Sequence, residues 1–137
     1  MPQFERTLHN AATWYLVGVI WLVQLVHYPM FEYLDWATFA RSHAFHSAAI
    51  TVVVLPAMLL ELYLSALLLF RQADLAATVG FLLVVVIWAT TFLVMVPLHG
   101  RLGVEGYQLH LIQSLVRWNW VRTIAWTLRG FIAAFWL

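Results

Sequence analysis

Residues 7–31, 42–60 and 75–100 contain no Asp, Glu, Lys or Arg, and each run exceeds the roughly 18 apolar residues that mark a membrane-crossing helix. The rest of the chain offers little to offset them. Of 137 residues, 64% are hydrophobic and 9% charged, where soluble chains average about 45–50% and about 25%. The sequence reads as an integral membrane protein whose first partner is the lipid bilayer.

A fourth stretch, 106–137, is interrupted by Arg117, Asn119, Arg122 and Arg129. Its apolar residues, among them Leu111, Ile112, Leu115, Trp118 and Trp120, still make a broad greasy surface. Intramembrane arginine normally faces a bundle interior or water, so this stretch reads as a helix whose polar stripe faces its neighbours. The expected fold is all-α, an integral membrane four-helix bundle forming one domain over 1–137. Its spans lie near 10–33, 43–71, 75–99 and 106–135, joined by connections at 32–41, 71–74 and 101–106. Pro29 disfavours helical geometry at Tyr28, which predicts that the first helix bends or ends near His27. Gly100, Gly103 and Gly106 predict a flexible turn between the last two helices.

Several functions are excluded early. The net charge is +1 and the seven basic residues are scattered arginines, so no basic patch suggests nucleic acid. No cysteine is present, which removes disulfides, thiolate metal sites and iron–sulfur clusters. No phosphate-binding loop occurs. The first apolar run is too long for a signal sequence and is expected to remain as the first helix. A homo-oligomer or a partner in a membrane complex stays open, since Ala48, Ala49, Ala66, Ala76 and Ala77 are too dispersed to name an interface.

Threading four helices through a membrane brings distant histidines to one end. His27 closes helix 1, His43 and His46 open helix 2, His99 closes helix 3 and His110 opens helix 4. The distribution of arginines between the two ends places both termini on the cytoplasmic side and the histidines on the opposite side. His43 and His46, three residues apart, share one helical face with roughly 5–6 Å between Cβ atoms, a spacing that suits two ligands of one metal. Imidazole suits Zn, Cu, Fe and Ni, and a His-ligated haem is also possible, with Glu32 or Asp35 as a carboxylate ligand or hydrogen-bond acceptor. The competing reading is an interfacial belt, because Tyr28, Tyr33, Trp36 and Tyr107 lie in the same layer.

Deeper in the membrane, Glu61 lies roughly 15 Å from the Arg71 end of its helix, and counting back from Arg129 brackets it between Arg122 and Arg117. An unpaired charge there costs at least about 2.5–3.5 kcal/mol, so an ion pair between Glu61 and Arg117 or Arg122 is expected. It would serve as a clamp or as the polar wall of a cavity to which Gln24 and Asn119 add neutral hydrogen bonds.

The segments VPLHGRL at 96–102 and RWNWVRTIAWTLRG at 117–130 resemble the paired signature of the anthrone oxygenase-like family of small four-span membrane proteins. In that pattern Pro-Leu-Asn ends helix 3, and Trp-Asn followed by Arg-Thr lies in helix 4. The matching positions here are Pro97, Leu98, Trp118, Asn119, Arg122 and Thr123, and His99 stands where the pattern has Asn. The resemblance covers about the last 40 residues. It implies oxidation of an aromatic anthrone to a quinone by O2 without a bound organic cofactor. The sequence therefore suggests an oxygenase-like oxidoreductase acting on a hydrophobic aromatic molecule. Its catalytic candidates are His27, His43, His46, His99 and His110, and its substrate-binding candidates are Gln24, Glu61, Arg117, Trp118, Asn119 and Arg122. A neutral imidazole with an ordinary pKa of about 6.5 would take the acidic proton. The rivals are a metal or haem protein that uses the same five histidines as ligands, and a non-catalytic subunit of a membrane complex.

Overall fold

The computed structural model describes residues 2–136, apart from the side chain of Trp136, and is helical almost throughout. Four helical arms make the fold: α1, Gln3–Tyr33; α2, Trp36–Gln72; α3, Leu75–Glu105; and α4, Leu109–Trp136. The first three are long and apolar enough to cross a membrane. The fourth is 28 residues long and packs against α1 and α3.

The breaks between arms are shorter than the charge pattern suggested. α2 begins at Trp36, because the Asp35 side chain caps it by accepting from the Thr38 N–H at 2.7 Å and the Thr38 hydroxyl at 2.6 Å. Those bonds stabilise the carboxylate and hold the Asp35 pKa below its ordinary value. Only Leu34 and Asp35 lie outside helix there, so the segment 32–41 is mostly helical. At the second break Ala73 takes a left-handed conformation (φ 47°), and Asp74 caps α3 by accepting from the Ala77 N–H at 2.8 Å. At the third break the helix runs through Gly100 and Gly103, and only Gly106 adopts a positive φ, 77°. The expected flexible turn is confined to Gly106–Gln108.

α1 and α3 each contain one widened turn, at Val23–His27 and Thr91–Met95, where the chain becomes π-helical. Each lies just ahead of a proline, Pro29 or Pro97. A proline ring crowds the carbonyl four residues earlier and offers it no N–H. Those carbonyls belong to Leu25 and Leu93, inside the widened turns. α1 and α3 accommodate these two prolines with a widened turn, whereas α2 keeps ordinary α-helical geometry around Pro56, and α1 continues past His27 to Tyr33 where a bend or stop was expected.

The core is built from apolar faces of all four helices, including Leu16, Ile20, Phe39, Ile87, Met95, Ile112 and Leu115, each no more than 2% exposed. α4 approaches α1 closely at Gly130, where a Cβ would lie 3.3 Å from side-chain atoms of Trp14 and Val17. That approach draws the polar stripe of α4 into the bundle.

Candidate functional site

Beyond the widened turn of α1, Tyr28 is buried, and beyond that of α3 stands His99. The two side chains meet, with the Tyr28 hydroxyl 3.1 Å from His99 Nε2. The other ring nitrogen of His99, Nδ1, lies 2.9 Å from Nε2 of His43 on α2. Each contact needs one hydrogen between its two heavy atoms, so Tyr28, His99 and His43 form a single hydrogen-bonded row across three helices. His46 stacks beside the row, its ring centroid 6.1 Å from that of His99 at an interplanar angle of 21°. His27 follows at 5.6 Å from His46.

Four of the five histidines thus share one layer. His110 does not join them: it is exposed in the first turn of α4 and lines neither cavity described below. Among the described residues, no group of three or more His, Asp or Glu side chains gathers as a metal ion would need.

The row borders a cavity of about 520 Å³ between α1, α2, α3 and α4. Tyr28, His43, His99, Arg122 and Trp126 supply much of its polar and aromatic wall, and Leu16, Ile20 and Val54 supply part of the apolar remainder. Arg122 is 7% exposed and its guanidinium carbon lies 5.3 Å from the centre of the Trp126 ring. Such a cation–π contact is worth about 2 kcal/mol when desolvated. Arg122 also interacts with the Tyr28 hydroxyl. Among the described residues its Nε has no hydrogen-bond partner, and the ion pairs are made by Arg71, Arg101 and Arg129. A buried cation with no carboxylate beside it therefore lines the cavity.

Trp126 connects this wall to a second polar cluster. Its indole N–H donates to Glu61 Oε2 at 3.0 Å, while Glu61 Oε1 accepts from Arg129 Nε at 2.7 Å and from the Thr13 hydroxyl at 2.9 Å. Arg129 also donates to the Gly80 carbonyl at 2.7 Å, to His9 Nε2 at 2.6 Å and to the Ser65 hydroxyl. The cluster ties all four helices together, with Arg129 and Glu61 each 1% exposed.

This corrects the expected pairing of Glu61 with Arg117 or Arg122. Arg129 does not mark the end of the helix, since α4 continues through apolar Phe131–Trp136 for roughly 10 Å beyond it, and depths counted from Arg129 are displaced accordingly. Arg117 is exposed and donates only a long bond, 3.4 Å, to the Ser114 hydroxyl. Trp118 is 48% exposed and does not line the cavity.

Gln24 and Asn119 are buried together, away from the cavity wall. Gln24 Oε1 accepts from Asn119 Nδ2 at 2.9 Å and from the Thr123 hydroxyl at 3.1 Å, and Gln24 Nε2 donates to the Val116 carbonyl at 3.1 Å. These bonds lock α1 to α4. Of the substrate-binding candidates, Arg122 alone borders this cavity. Tyr28 and Trp126 border it although neither is among the catalytic or substrate-binding candidates of the sequence; a tyrosine beside a helix-internal proline is the available signal for the first.

No model of a known protein family, no curated protein and no solved structure matches the chain.

Proposed function

We propose that all four helices cross the membrane and that the chain is an oxygenase-like oxidoreductase whose 520 Å³ cavity holds a hydrophobic aromatic molecule with an acidic ring C–H. One observation carries the reading: the Tyr28–His99–His43 row and the uncompensated Arg122 converge on the same largely apolar cavity. In this reading the termini share the cytoplasmic side and the histidine layer lies toward the other. The likeness of residues 96–102 and 117–130 to the anthrone oxygenase-like signature supports the reaction class.

The chemistry follows from the groups at the cavity. A histidine of the row accepts the acidic proton, and the resulting anion carries its charge on the aryl oxygen, which Arg122 stabilises. The carbanion, electron-rich at the ring carbon, reacts with O2 as co-substrate. The ring CH2 becomes C=O, and the second oxygen atom leaves with the two hydrogens as water. The largely apolar wall strengthens the Arg122–anion attraction relative to water.

Ligation of a metal or haem by the histidines has less support. The facing nitrogens of His43 and His99 are engaged with each other, and His110 stands apart from the layer.

Purified protein supplied with anthrone should take up O2 and form the quinone. His43→Gln and His99→Gln should each lower the rate by about 10²–10⁴-fold, and Arg122→Met by about 10²–10³-fold. No oxygen uptake, or uptake indifferent to all three changes, sinks the reading. A Soret band or stoichiometric metal in the same preparation would instead assign the histidines as ligands.

A further inference from the structure

A second cavity, about 890 Å³, opens on a different face of α2 from the first, between its early turns and the His27–Leu34 stretch. It is lined by His46, whereas His43 lines the first cavity. Along α2 its lining follows a stripe through Thr38, Arg41, Phe45, Ala49 and Val53. Steps of three and four residues keep these positions on one helical face, over roughly 22 Å. The stripe is polar at its start and apolar at its end. Phe45 and Met30, on either side of the groove, are 75% and 48% exposed, so it opens sideways toward lipid.

We infer that this groove binds an anionic glycerophospholipid, with its phosphodiester at Arg41, an ester carbonyl at His46 and an acyl chain along Ala49 and Val53. Three observations support that occupant. Arg41 is exposed and takes no part in the ion pairs of the described residues, and the carboxylate at the start of its helix, Asp35, is engaged with Thr38. His46 is only 9% exposed, and its buried Nε2 has no hydrogen-bond partner among the described residues. His46 also lies five residues beyond Arg41, about 7.5 Å along the axis. The glycerol backbone sets an ester carbonyl deeper than the phosphate by a comparable step, whereas a fatty acid has no second polar group to offer His46. The proposal is independent of any reaction in the first cavity.

The test uses the full chain in vesicles containing phosphatidylglycerol, phosphatidylcholine or stearic acid, each spin-labelled on its acyl chain, with the motionally restricted fraction read by electron paramagnetic resonance. Phosphatidylglycerol should be held in preference to the other two. Arg41→Gln should weaken it roughly five- to tenfold, the worth of one arginine at an anionic lipid surface, and bring it level with phosphatidylcholine. His46→Phe should weaken both phospholipids and leave stearate unchanged. Ala49→Trp should abolish the preference for phosphatidylglycerol by filling the groove; Arg41→Gln, at an exposed position, provides the readout if that variant does not fold. Equal retention of the two phospholipids by the parent chain overturns the proposal, as does a preference that survives Arg41→Gln. Stearate held as firmly as phosphatidylglycerol also overturns it.

Discussion

Arg122 and Arg129 stand seven residues apart on α4, two turns along the same face, yet their circumstances are opposite. Arg129 has a carboxylate, a carbonyl, an imidazole and a hydroxyl around it, whereas Arg122 has an aromatic face, a phenol and a cavity. Glu61→Gln should therefore destabilise the bundle by about 3–5 kcal/mol, because it strands a buried guanidinium. Replacing both partners by leucine should recover most of that loss. Unfolding in denaturing detergent measures both, and a neutral Glu61→Gln would remove the clamp from the account. That Glu61 needs a cation was legible in the sequence, since the cost of an isolated charge at depth is general. Which cation was not legible: the choice depends on how far α4 runs beyond Arg129 and how closely Gly130 brings it to α1.

The widened turns of α1 and α3 show a similar limit for whole elements. Prolines 29 and 97 signal a disturbance in an apolar run, but hydropathy cannot distinguish a break from a turn that absorbs one extra residue, because both leave the run apolar. The distinction has a measurable consequence. A π turn behaves as a single-residue insertion in an α-helix, so deleting Leu25, 60% exposed within Val23–His27, should return α1 to α-helical pitch ahead of Pro29, as α2 keeps it ahead of Pro56, with the flanking faces in register. Deleting Val52, 75% exposed in regular α2, should instead rotate everything beyond it by about 100° and separate Glu61 from Arg129. Folded yield in detergent compares the two, and a Leu25 deletion as damaging as the Val52 deletion would contradict the insertion account. The start of α2 escapes hydropathy for a different reason. Charged residues at 32–41 mark a connection by composition, whereas Asp35 caps a helix whose first turns carry polar side chains.

For the molecule as a whole, alternation of direction along the chain foretold that histidines from α1, α2 and α3 would meet at one end. It could not foretell that His110 points elsewhere, because the facing of a residue in the first turn of a helix depends on rotation rather than depth. Four crossings require both termini on one side, so reporters fused before Gln3 and after Trp136 should agree; opposite readings would leave α4 outside the membrane. The Tyr28–His99–His43 row also has a direction. With Tyr28 as donor, His99 holds its hydrogen on Nδ1 and passes the sense of donation to His43; with His43 as donor, His99 holds it on Nε2 and Tyr28 receives. Nitrogen-15 shifts of His99 distinguish the two tautomers. A proton entering at one end and leaving at the other reverses every bond in the row without moving a heavy atom. The row then faces the wrong way for a second passage, so it carries one proton and must turn over before it can carry another.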